Sequence, residues 1–365
     1  MSEWQTFCLK DLGKIVGGAT PPTNNPKNYG NKIAWITPKD LSTLQGRYIK
    51  KGSRNISRLG LKSCSCVLLP KHAILFSSRA PIGYVAIAEK RLCTNQGFKS
   101  IIPNKKIYFE FLYYLLKYHK NNFINMGEGT TIKGIYNIAL GLFQVKIPPT
   151  YYEQQKIART LSVLDQKIEN NHKINELLHT LAYKIYEYYF KYKPKNAKLE
   201  QIIIENPKSN IMVKNAQKTQ DKYPFFTSGD NILSYPKAII DGRNCFLNTV
   251  GNASIKFYVG KASYSTNTWC ICANEFSDYL YLLLSSIKNH INQSFFQGTS
   301  LKHLQKNLLK KYPIYMPSAH EIKKFNQIIM PLLTLISINT RTSKKLEQIR
   351  DFLLPLLLKQ QVKPK

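Results

Sequence analysis

The sequence predicts an α+β fold in which two globular, β-rich blocks are separated by two long helices, the whole built as an internal repeat. Three observations predict it. First, the stretch IPPTYYEQQKIARTLSVLDQKIENNHKINELLHTLAYKIYEYYF, residues 147–190, places apolar side chains at Ile157, Leu161, Leu164, Ile168, Leu178, Ile185 and Tyr189, the three-and-four spacing of one helix face. Such a helix reaches about 55 Å at about 1.5 Å per residue, longer than a small domain is wide. Second, MPSAHEIKKFNQIIMPLLTLISINTRTSKKLEQIRDFLLPLLLK, residues 316–359, repeats the order of parts: a proline, a Glu, then a seam through Ile322, Phe325, Ile329, Leu332, Ile336, Leu346, Leu353 and Leu357. Third, short landmarks recur upstream in the same order, the TNQ at Thr94 answering to the TNT at Thr266 and the GTT at Gly129 to the GTS at Gly298. A repeat this long implies duplicated domains. The expected division is 1–150 and 194–318 for the globular blocks, 151–193 and 319–365 for the helices.

Both seams are interrupted at the same place. Asn171 and Asn175 stand where apolar residues belong, and adding 168 to each number gives Asn339 and Ser343. Buried polar residues in a helix seam cost stability and fix register.

Composition narrows the partner. The 365 residues carry 53 Lys and Arg against 21 Asp and Glu, a net charge of +32, and their 43% hydrophobic content supports ordinary cores. Such a balance points to a polyanion, and residues 1–150 are much the most basic part, with 22 basic and 6 acidic side chains. Seven cysteines in no framework spacing fit free thiols in a reducing compartment. The pairs Cys64/Cys66 and Cys270/Cys272 admit either zinc or a shared apolar strand face. MSEWQTFCLKDLGKI has no apolar leader and no run approaches the roughly 20 apolar residues of a membrane span, so a cytoplasmic location is expected.

In chain order, Trp4 to Val16 reads as a strand and turn, the Gly, Pro and Asn-rich GGATPPTNNPKNYG as loop, and AWITPKDL as a strand ending in a polar turn. A basic loop follows with Arg47, Lys50, Lys51, Arg54, Arg58 and Lys62, either solvated or in contact with phosphates. ILFSSRAPIGYVAIAEK reads as two strands around a Pro81 and Gly83 turn with Arg79 at its tip, where an arginine can reach a guanine edge or form a surface ion pair. Asn95 and Gln96 can pair with adenine or cap a turn. With Lys99, and with Thr130, Thr131 and Lys133 of GEGTTIKGI, they make a basic, polar set of loop tips. Tyr108 to Lys120 reads as an amphipathic helix for the core.

WITPKDL, SSRAPIG, TNQGFKSI, GTT followed by an IPP element, EQQKIARTLSVLDQKI and DFLLPLLL, in this order and over almost the whole chain, resemble the specificity subunit of type I restriction-modification systems. The resemblance implies two target recognition domains, each reading half of a split site in double-stranded DNA, held apart by the two helices paired as an antiparallel coiled coil. It also implies a subunit that is not itself catalytic. Such a subunit docks two methyltransferase subunits, which methylate adenine N6 with S-adenosylmethionine, and two ATP- and Mg-dependent restriction subunits that act as motor and nuclease.

The second block departs from the first. Its opening, from Tyr223, resembles another variant of the family, so the two half-sites should differ; candidate contacts are Thr227, Ser228, Arg243, Asn252, Lys256, Thr266, Asn267, Ser300 and Lys302. The chain has no NPPY-like loop for a flipped base, the nearest match being IPPTYY, and no GxxxxGK[ST] loop for ATP. No cofactor is therefore expected on this chain. The readings left open beside this one are a stand-alone DNA-binding regulator and a DNA-modifying enzyme with undetected motifs. Two prolines lie in the second helix; a bend is expected at Met330, before Pro331, and little effect from Pro355. Antiparallel pairing would set Asn171 and Asn175 against Asn339 and Ser343.

Overall fold

The computed structural model describes residues 3–129, 133–216, 222–229 and 231–364. The chain forms two compact units, Met1–Asn170 with Lys344–Lys365, and Asn171–Ser343.

In the first unit a five-stranded sheet runs in the order Gly13–Gly17, Lys99–Pro103, Ile74–Phe76, Val85–Ala88, Tyr48–Ile49. Neighbours are antiparallel except the last pair, which is parallel. Ile74, Leu75 and Phe76 are all buried because the strand is covered on both faces: Ile74 and Phe76 enter one apolar cluster, Leu75 the other. Helix Phe109–Tyr118 lies in the first cluster, with Phe111 to Leu116 buried, as its apolar pattern requires. A smaller sheet of Arg54–Ile56, Tyr29–Ile36 and Cys93–Thr94 is built around buried Trp35. The expected polar turn after AWITPKDL is a one-turn helix, Pro38–Ser42. Asp40 Oδ2 caps it by accepting from the Thr37 N–H and hydroxyl, each at 2.7 Å.

The second unit repeats the plan. Its four-stranded sheet, Ile204–Glu205, Thr268–Cys272, Arg243–Asn248, Ile255–Val259, has the order of the first four strands above, and a three-stranded sheet and the buried helix Ser277–Ser286 take the same places. The register corrects one correspondence. The Asn95 N–H donates to Ile36 O and the Ser265 N–H donates to Phe226 O, each at 2.9 Å from equivalent strands, so Asn95 answers to Ser265 and Gln96 to Thr266. The tripeptide match of TNQ with TNT is displaced by two residues.

The two long helices are Tyr151–Tyr186, continued by a π-helical turn Glu187–Lys191, and Ala319–Leu358, which runs through Pro331 and Pro355. Each opens with the same hydroxyl and glutamate three apart, 168 residues from one another. Thr150 Oγ1 accepts from the Glu153 N–H and donates to its carboxylate; Ser318 Oγ does both with Glu321. The π turn seats Phe190, whose ring lies 4.9 Å from Phe325 and 5.2 Å from Tyr279.

Within each unit the helix segments pack side by side. In the first, Ile157, Ala158 and Leu161 share a core with Leu354, Leu357 and Leu358; in the second, Ala182, Tyr186 and Phe190 share one with Ile322, Phe325, Ile329, Leu333 and Ile336. Hydrogen bonds fix the direction. Asn171 Nδ2 donates to Ser343 Oγ at 3.1 Å and Asn339 Nδ2 to Asn175 Oδ1 at 3.0 Å, so partner numbers fall as helix numbers rise, which is antiparallel pairing. Among the described residues no helix is long and apolar enough to cross a membrane.

Candidate nucleic-acid interface

In the first unit three loops converge on Ser77–Arg79. Ser78 N–H donates to Gly97 O, Ile135 N–H donates to Ser78 O, and Arg79 bridges to Gly134. This brings Arg79, Gln96, Lys99 and Lys133 together at one end of the interior strands Ile74–Phe76 and Lys99–Pro103; all but half-buried Lys99 are exposed. Burial, and then the neighbouring Arg79 charge, lower the Lys99 pKa, a pair of cations that an anion would relieve. Thr20 Oγ1 donates to Gln96 Oε1, which joins the GGATPP loop to the set. Thr130 and Thr131 lie outside the described residues. Asn95 is committed to its own turn, its Oδ1 accepting from the Gly97 N–H at 3.0 Å.

The basic loop divides. Lys51, Arg54 and Arg58 are exposed, and Lys50 stands 3.9 Å from Glu89 in a solvated pair. Arg47 does not join them. It is 3% exposed, its N–H and Nε both donate to Glu169 Oε1, and Nη1 donates to Glu110 Oε1 at 2.8 Å. A guanidinium that is buried and paired twice inside the protein is not presented to a phosphate.

Asp40 ties the helix Pro38–Ser42 to this loop, since its second oxygen accepts from the Ser53 N–H at 2.7 Å. Burial raises its pKa, but the bonds from Thr37 and Ser53 outweigh that, so the carboxyl sits below its ordinary value. Its contribution is complete above the unfolded carboxylate pKa and is lost as pH falls through the lower folded one. Asp40→Ala is expected to cost about 1 kcal/mol, as lost helix caps do, in denaturant unfolding at neutral pH. The gap from wild type should shrink as pH falls below the usual carboxylate range.

The second unit assembles four loops. Asn248 Nδ2 donates to Ser228 O and Asn252 O, Thr249 N–H donates to Asn267 O, and Gly251 N–H donates to Lys302 O. Asn252, Asn267, Ser300 and Lys302 are exposed there and Thr266 half-buried. Thr227 is buried and accepts from the Gly229 N–H, and the Lys256 ammonium donates to the carbonyls of Thr227 and Gly229, bracing that loop. Arg243 is turned inward: Nε and Nη2 donate to the Asp278 carboxylate, Nη1 to Thr334 Oγ1 at 3.0 Å and Nη2 to Met330 O at 3.2 Å. It therefore leaves the set of surface donors, as Arg47 does.

Sequence reading missed the carboxylates that hold these two arginines. The signal was available: Glu110 and Asp278 are 168 residues apart, each in the first turn of a helix that is otherwise buried. Among the described residues no three His, Cys, Asp or Glu groups stand together as a metal site. Cys66 is buried against Cys93, and Cys270 lies on the strand Thr268–Cys272.

A family model described as the type I restriction modification DNA specificity domain matches residues 1–180 and 193–348. The type I restriction enzyme MjaIX specificity subunit of Methanocaldococcus jannaschii is 31% identical, over 98% of this chain and 93% of that protein. The putative type I specificity subunit S.MgeORF438P of Mycoplasma genitalium is 24% identical, over 84% of this chain and 80% of its own. A crystal structure of the type I restriction-modification S subunit from M. genitalium superposes with a TM-score of 0.64, covering 97% of this chain and 96% of that one. At 18% identity the likeness is one of fold.

Proposed function

This chain belongs to the specificity subunits of type I restriction-modification systems, and from that premise we propose that it reads a split site in double-stranded DNA, one half with each globular unit. The observation that carries this is the pair of exposed loop clusters, one per unit. They are built on the same strands from different residues: Arg79, Gln96, Lys99 and Lys133 in the first, Asn252, Thr266, Asn267, Ser300 and Lys302 in the second. The exposed Lys50, Lys51, Arg54 and Arg58 supply phosphate contacts, which position without specifying. We assign residues 1–150 and 194–318 to target recognition domains, and 151–193 and 319–365 to the spacer helices.

The chain supplies recognition and its partners the chemistry. Two methyltransferase subunits carrying S-adenosylmethionine dock on it, with two ATP- and Mg-dependent restriction subunits, in the cytoplasm. Exposed apolar side chains on the helices support a docking role: Ile174, Leu177, Leu181 and Tyr188 recur three to seven residues apart on the first, and Ile349 and Phe352 stand out on the second.

Co-expression with a methyltransferase subunit of the system, followed by mapping of N6-methyladenine across the host DNA, tests the reading. Expected is a motif of two unlike halves with a fixed gap, lost when this chain is deleted. Methylation that persists unchanged without the chain refutes it.

A further inference from the structure

The chain contains two Gly-Arg dipeptides, Gly46-Arg47 and Gly242-Arg243, and the fold puts both to the same use. Each glycine has a positive φ, +133° and +99°, a backbone that other residues rarely adopt. Each arginine then turns inward against the equivalent strand of its sheet, Val85–Ala88 or Ile255–Val259: Ile87 N–H donates to Arg47 O, and Arg243 pairs with Val259. Both meet the first-turn carboxylate of the buried helix, Glu110 or Asp278, and both also reach a spacer helix. Arg47 reaches Glu169; Arg243 reaches Thr334 and the Met330 carbonyl. Yet the two dipeptides are not related by the repeat. Arg47 precedes the strand Tyr48–Ile49, which has no counterpart among the described residues of the second unit's sheet, whereas Arg243 opens the central strand Arg243–Asn248, whose counterpart begins with Ile74. The same three-way junction is built twice from different positions in the chain, which points to a requirement for the junction itself.

We propose that Arg47 and Arg243 are positioning residues that lock each recognition domain in one orientation on its spacer helix, and that this lock sets how strictly the gap between half-sites is measured. A guanidinium suits the task. Its planar fork holds two partners at fixed angles, where an ammonium on a flexible stem would let the domain pivot on its helix. A pivoting domain still presents the same loops to the same bases, so its half-site is unchanged while neighbouring gap lengths become acceptable.

The inference rests on the reading of a split site, and one experiment separates the two. Complexes of the full chain with its methyltransferase subunits are assayed on duplexes carrying the mapped half-sites at the native gap and at one base pair more or fewer. If the wild type methylates no split site, that reading falls and this inference with it. If it does, Arg47→Lys and Arg243→Lys should recognise the same halves but lose about tenfold of their preference for the native gap, the scale of one mismatched base pair. A general loss of stability would lower methylation at every gap alike. Unchanged gap preference in folded variants overturns the proposal. Should either lysine variant not fold, Glu169→Gln and Thr334→Val, which leave the arginine on its domain carboxylate, are read by the same ratio with the same two outcomes.

Discussion

Asp165→Ala is expected to destabilise the first unit by about 3 to 5 kcal/mol, the range for breaking a buried ion pair. Asp165, on the first long helix, is 4% exposed; it accepts from the Tyr114 hydroxyl at 2.5 Å and from Arg350 Nη1, on the second long helix, at 2.7 Å. Removing it strands a buried hydroxyl and leaves Arg350 with its exposed neighbour Asp351. The internal repeat supplies the control. Adding 168 to Tyr114 and Asp165 and subtracting it from Arg350 gives Leu282, Leu333 and Ala182, all buried in the second core. The protein thus contains both a polar and an apolar version of one packing layer. The triple variant Tyr114→Phe, Asp165→Leu, Arg350→Ala should therefore recover most of the loss, because replacing a buried pair whole by apolar groups is often neutral. Denaturant unfolding checks both; a single mutant within about 1 kcal/mol of wild type would show the network to be dispensable.

Inserting one four-residue turn into both helices, between Asn170 and Asn171 and between Ser343 and Lys344, is expected to lengthen the unread gap by one to two base pairs and leave both half-sites unchanged. Four residues add about 6 Å of helix against about 3.4 Å per base pair. The insertion must be matched, because Asn171 pairs with Ser343 and Asn175 with Asn339. A turn added to the first helix alone would move this polar layer out of register and set amides against apolar side chains, so that variant should lose methylation altogether. The matched points lie between the layer and the contacts of Arg47 with Glu169, so the exposed loop clusters are untouched. Methylation mapping that returns the original gap from the matched variant would mean that the helices do not measure it.

Much of this protein follows from its sequence alone. The long helices, their duplicated starts of a proline and a Glu, the polar break at Asn171 and Asn175 and the family resemblance are all local or periodic patterns, and a periodic apolar face has few ways to be satisfied. The tertiary structure decided which cations face solvent. Arg47 and Arg54 stand in one basic stretch and differ only in what the fold sets beside them: Glu169 is 122 residues away from Arg47 in the chain and closes on it in space. Arg243 is likewise withdrawn by Asp278 and by the second long helix. The displaced match between Thr94 and Thr266 has the same origin, because strand pairing is fixed by backbone hydrogen bonds to a distant strand, to which a shared tripeptide is indifferent. Periodicity is written in neighbours along the chain, while burial of a charge depends on a partner that only folding brings near.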